Sequence, residues 1–95
     1  MVALGHAGDG NIHLGILAPE GVGREEWVAR ASSAEAVVNA IAVELGGSFS
    51  AEHGIGQSKR HAMATHKDPV ALDVMRAVKA AIDPQTLMNP GKVLP

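Results

Sequence analysis

Gly5-His6-Ala7-Gly8-Asp9-Gly10-Asn11-Ile12-His13 is the stretch whose reading decides how this chain folds. Its centre, Gly8 to Asn11, is made of residue types that tolerate positive φ and tight reversal. Short β-capable runs lie on either side, so Met1 to Leu17 reads as a β-hairpin. With the loop over Gly8 to Asn11, Ala7 pairs with Ile12 and His6 stands opposite His13. Directly opposed Cβ atoms lie about 4.5–5.5 Å apart, close enough for both imidazoles to reach one ion. Alternation sends Ile12, Leu14 and Ile16 to the other face, where they can pack on helices. The His-x6-His spacing by itself is weak evidence and suits two solvated histidines near a turn better than a chelate.

Beyond the turn material of Pro19 to Gly23, apolar or small residues recur at Trp27, Ala31, Ala34, Val38, Ile41 and Leu45. Those steps of three and four residues mark one face of a helix, and Gly46-Gly47 ends it. Ser48 to Ala51 reads as a short strand around Phe49, followed by the loop Glu52-His53-Gly54-Ile55-Gly56. Gln57 to His66 reads as helical. Asp68 then offers a capping carboxylate and Pro69 a first helical residue, so a last helix runs to about Ile82. Its apolar stripe is Ala71, Leu72, Met75, Val78 and Ile82, and Asp83-Pro84 closes it. Leu87 to Gly91 is a rigid turn and Lys92 to Pro95 an extended tail. No repeat or linker divides the chain, so residues 1–95 read as one unit.

Composition narrows the functional classes. The chain has 95 residues, 46% hydrophobic and 19% charged, which is globular in character. Chains of this length bury only about 60–65% of their unfolded surface, so stability is marginal. Trp27 and Phe49 are the only aromatic residues, leaving an aliphatic core. A formal charge of −2 with scattered signs and no aromatic row argues against nucleic-acid binding. Without cysteine, any metal is held by nitrogen and oxygen. No apolar run nears the roughly 20 residues of a membrane span, and no secretory signal opens the chain, so a cytoplasmic location is expected.

The second concentration of chemistry is Glu52-His53. A carboxylate beside the two histidines completes a two-His, one-carboxylate set with open positions, suited to zinc, manganese or iron. Neighbours on an extended backbone point opposite ways, so Glu52 and His53 face one site only from a bent loop, which Gly54 and Gly56 permit. Taken alone, the pair also reads as a solvated glutamate and a turn histidine. His61 and His66 sit among Lys59, Arg60 and Lys67 on a polar helix and are solvated.

Gly5 to His13 resembles the His-x-Gly-Asp-Gly-Asn-x-His signature of the C-terminal domain of FAD-linked oxidases of the vanillyl-alcohol oxidase type. D-lactate dehydrogenases, glycolate oxidase subunits and D-2-hydroxyglutarate dehydrogenases carry it. Gly46-Gly47-Ser48, Glu52 to Gly56, and Asp83-Pro84 with Met88 to Lys92 are similar to three further family motifs, in the family's order. The resemblance implies that His6, His13 and Glu52 hold a divalent ion, zinc or manganese. It implies that His53 takes the proton of a substrate hydroxyl while hydride leaves to FAD. Asp9 and Asn11 are then supporting residues, and Asn89 and Lys92 belong to the tail motif that packs toward the flavin domain as cofactor-binding positions. The resemblance also implies that FAD itself is held mainly by an upstream domain absent from these 95 residues. The family often has an asparagine two residues after the second histidine in its hydroxyglutarate branch, where Gly15 stands here.

The resemblance implies the C-terminal active-site portion of a dehydrogenase of D-2-hydroxy acids, inactive as 95 residues alone. The alternative is a catalytically inactive, truncated metal-binding α+β module. The expected architecture is α+β, part of a ferredoxin-like plait. An antiparallel sheet of the hairpin and the Ser48 to Ala51 strand carries the Trp27 to Leu45 and Val70 to Ile82 helices on one face. Such a half-domain leaves apolar surface that a homodimer or a flavin-binding domain would cover.

Overall fold

A computed structural model describes residues 1–95. In order, the elements are β1 (Val2–His6), β2 (Asn11–Gly15), α1 (Arg24–Glu44), α2 (Arg60–His66) and α3 (Pro69–Ile82), an α+β arrangement. The backbone divides into two compact units, Met1–Glu52 and His53–Pro95, although no linker composition marks the division.

In the first unit β1 and β2 form a two-stranded antiparallel sheet. Leu4 pairs with His13, Gly5 with Ile12 and His6 with Asn11. The approach at Gly5 is close: a Cβ there would collide with the Asn11 carbonyl oxygen. Ile12, Leu14 and Ile16 are 67%, 43% and 40% exposed, so the helix packing expected of that face is not made. Ser48 to Ala51 is not a strand. A third strand needs a partner for its ladder groups, and here Ser50 N–H turns back to Ser48 Oγ (3.3 Å) while Ala51 takes φ 47°.

Helix α1 begins three residues before Trp27, with Glu25 and Glu26 in its first turn complementing the positive end of the dipole. Trp27, Ala31, Ala34 and Val38 are half-buried as the periodicity requires, but Ile41 and Leu45 are exposed. Gly46, at φ 76°, ends it: Gly46 N–H bonds Val43 O (2.9 Å) and Gly47 N–H bonds Ala42 O (2.7 Å). That is the paired closure a left-handed glycine allows.

In the second unit Asp68 caps α3, accepting from Ala71 N–H (3.0 Å) ahead of Pro69. Ala62, Met63 and Leu72 are its buried apolar residues. Ala71, Leu72 and Met75 follow the expected stripe, whereas Val78 and Ile82 are exposed. They line, with Val74, Met88, Val93 and Leu94, an open apolar groove of about 510 Å³. Buried Asp83 fixes the chain after the helix. Its carboxylate accepts from Lys79 Nζ (2.5 Å), Leu87 N–H (2.9 Å) and Met88 N–H (2.9 Å). The tail is tied back by Arg60 Nε to Leu94 O (2.8 Å) and Val93 N–H to Gly56 O (2.7 Å).

Gly5→Ala should cost about 1–3 kcal/mol through overpacking and remove cross-strand amide protection at His6 and Asn11; an unperturbed hairpin spectrum would contradict the register. For Asp83, the Lys79 ammonium holds the carboxyl below the ordinary carboxylate range, outweighing the opposite pull of desolvation, with Met88 and Leu87 N–H groups acting in the same sense as Lys79. A depressed folded pKa stabilises the fold fully above about pH 4 and is lost as pH falls through the lowered value. Asp83→Asn should therefore lower the Tm at pH 7, with the gap to the parent closing below about pH 4.

Candidate metal centre

The turn that positions the histidines occupies Ala7 to Gly10, one residue earlier than Gly8 to Asn11. Asp9 N–H bonds His6 O (3.1 Å), and Gly10 supplies the left-handed residue (φ 63°) that returns the chain to β2. The closing pair is consequently His6 with Asn11, and His13 faces Leu4. His6 and His13 are diagonal neighbours, not directly opposed ones. The expected and observed registers differ by two residues, which is the side-chain period of a strand. Both histidines therefore remain on one sheet face, within the reach of long side chains across a diagonal.

Glu52, the last residue of this unit, comes to the same place. His13 Nε2 lies 3.3 Å and His6 Nε2 3.5 Å from Glu52 Oε1. The rings of His6 and His13 meet edge to face, with centroids 5.6 Å apart and planes at 74°. One ligand atom from each of the three residues falls within 4.8 Å of the other two. Well-formed N–H···O hydrogen bonds span about 2.7–3.2 Å, shorter than both contacts. Two donors bound to one ion at about 2.1 Å, at angles from octahedral to tetrahedral, stand roughly 3.0–3.4 Å apart. The His13 contact with Glu52 has that spacing and the His6 contact lies just beyond it, and the imidazole and carboxylate donors suit a borderline divalent ion. The residues present fit such an ion.

Burial grades the set: the His13 side chain is 24% exposed, Glu52 49% and His6 55%. Asn11 shares the face, and its Oδ1 is buried without a hydrogen-bond partner. Asp9 lies in the turn. His53 is exposed and opens the second unit. Asn89 and Lys92 belong to that unit's tail, Asn89 at φ 48° and Lys92 with Nζ 2.7 Å from Gln57 Oε1. The groove beside α3 sets the stripe residues Met75, Val78 and Ile82 against Met88, Val93 and Leu94 of the tail, a juxtaposition that the helical period does not report.

The chain belongs to the family described as FAD linked oxidases, C-terminal domain, whose profile matches residues 1–93. It is 40% identical over 98% of its length to D-2-hydroxyglutarate dehydrogenase of Stutzerimonas stutzeri, covering 20% of that protein. It is 41% identical over 100% of its length to the mitochondrial D-2-hydroxyglutarate dehydrogenase of Rattus norvegicus, covering 17%. Against glycolate oxidase subunit GlcD of Escherichia coli the identity is 43%, over 95% of this chain and 18% of that one. The chain thus spans at most about a fifth of these relatives' length. No solved structure matches it significantly. No helix is long and apolar enough to cross a membrane.

Because the three side chains meet at the surface, their contacts carry little of the fold. Glu52→Gln and His6→Ala should each change metal-free stability by less than about 1 kcal/mol, as exposed ion pairs do. A loss of several kcal/mol by chemical denaturation would make the cluster a structural one.

Proposed function

We propose that this chain supplies the metal-ligating and proton-accepting portion of an FAD-dependent dehydrogenase of 2-hydroxy acids. The observation that carries this reading is the convergence of His6, His13 and Glu52 donor atoms within 4.8 Å, on motifs of the matched family. His6 and His13 offer Nε2, Glu52 offers Oε1, and the exposed side of the cluster leaves positions for a substrate. A bound zinc or manganese ion supplies Lewis-acid polarisation of a hydroxyl and orients a neighbouring carboxylate. Flavin supplies the hydride acceptor. His53, adjacent to Glu52 and followed by Gly54 at φ 69°, is the base that takes the hydroxyl proton. Asp9 holds the turn between the ligands, and Asn89 and Lys92 face the cofactor-binding domain.

Substrate is assigned at the level of class. Relatives of 40%, 42% and 43% identity are named for D-2-hydroxyglutarate, D-lactate and glycolate. All three are 2-hydroxy acids, and they share the hydroxyl and adjacent carboxylate that one ion can hold. Gly15 lacks the side chain that would reach a further carboxylate. The exposed Ile12, Leu14 and Ile16 support association with further polypeptide, either a flavin-binding domain or a second copy.

Calorimetric titration tests the reading. The 95-residue chain should bind one zinc or manganese ion, His13→Ala should abolish binding, and the chain alone should retain no FAD and oxidise no hydroxy acid. Absence of ion binding, or binding that survives His13→Ala unchanged, would remove the metal role.

A further inference from the structure

His6 and His13 both turn Nε2 toward Glu52. When Nε2 offers its lone pair to an ion, the ring proton resides on Nδ1. A ligating imidazole kept in that tautomer normally donates Nδ1–H to a carbonyl or carboxylate oxygen. His13, 24% exposed, is held by its surroundings, whereas His6 at 55% needs such a partner more. Asn11 stands directly opposite His6 in the ladder and on the same face. Its Oδ1 is the buried side-chain oxygen that no hydrogen bond satisfies. A buried acceptor without a donor is unfavourable, and the hairpin gives this oxygen no structural task.

We propose that Asn11 is the positioning residue for His6: its Oδ1 accepts the Nδ1–H of His6 once Nε2 is drawn onto an ion. This inference rests on the metal reading above. The hydrogen bond fixes the tautomer and the ring orientation of the most exposed ligand, and it satisfies the one orphaned oxygen. Asn11 touches neither substrate nor flavin in this role; it acts through His6.

Zinc titration of the full chain, followed by calorimetry and by NMR of the histidine ring nitrogens, separates this role from a structural one. With zinc bound, His6 should show an Nδ1 proton in slow exchange with water. Asn11→Ala should lose that protected proton and bind zinc about 10–100-fold more weakly, while its metal-free Tm stays unchanged or rises. Asn11→Asp keeps an acceptor oxygen and should recover both the protected proton and the affinity. Wild-type affinity with a protected His6 proton in Asn11→Ala would overturn the inference. So would an Asn11→Ala chain that is unfolded or markedly less stable without metal, since that makes Asn11 a hairpin element. If the parent chain itself binds no zinc, the metal reading fails and takes this inference with it; parent binding beside an unaltered Asn11→Ala refutes the inference alone.

Discussion

The β1–β2 ladder repeats its side-chain direction every two residues, and this period puts His6 and His13 on one face whether the turn covers Ala7 to Gly10 or Gly8 to Asn11. The glycines of the turn matter because they let the chain reverse within four residues, which keeps the histidines on neighbouring strands near the loop. Gly5 matters for a different reason. With no Cβ it lets β1 approach the Asn11 carbonyl, so the ladder closes tightly enough for a diagonal pair of imidazoles to bring their rings within 5.6 Å. A shift of one residue in that register would send one histidine to the opposite face and dissolve the set.

The carboxylate arrives by another route. Helix α1 ends on Gly46 in a left-handed closure, and the bent segment Ser48 to Ala51 then delivers Glu52 to the histidines. None of this depends on a large core. The strands contain no buried residue, and the second unit buries only Ala62, Met63 and Leu72 among its apolar residues. The candidate site is thus built from backbone geometry and local closures more than from packing. Apolar faces stay open on the hairpin and beside α3.

Legibility in the sequence followed the range of the signal. Local signals were clear: Asp68-Pro69 for the start of α3, Gly46-Gly47 for the end of α1, and the His-Gly-Asp-Gly-Asn-His turn for the hairpin. The meeting of His6, His13 and Glu52 side chains matches what the residue types and the order of the family's motifs led one to expect. The exact register was not, because Gly8 and Gly10 both allow a reversal and only the pairing energy of the strands chooses between two loops. The expected strand over Ser48 to Ala51 does not form: the sheet consists of β1 and β2 alone, and the β propensity of Phe49 does not by itself make a ladder. Periodicity likewise marked Ile41, Leu45, Val78 and Ile82 as facing a core, yet period reports which residues share a face and not whether anything covers it.

X-ray absorption at the zinc edge of the zinc-loaded chain reads out directly whether His6, His13 and Glu52 share one ion. Nitrogen and oxygen ligands at about 2.0–2.2 Å are expected, with outer-shell scattering from two imidazoles and none from sulfur. Zinc held by one imidazole or none, or a two-imidazole signature that persists in His6→Ala, would contradict a shared site.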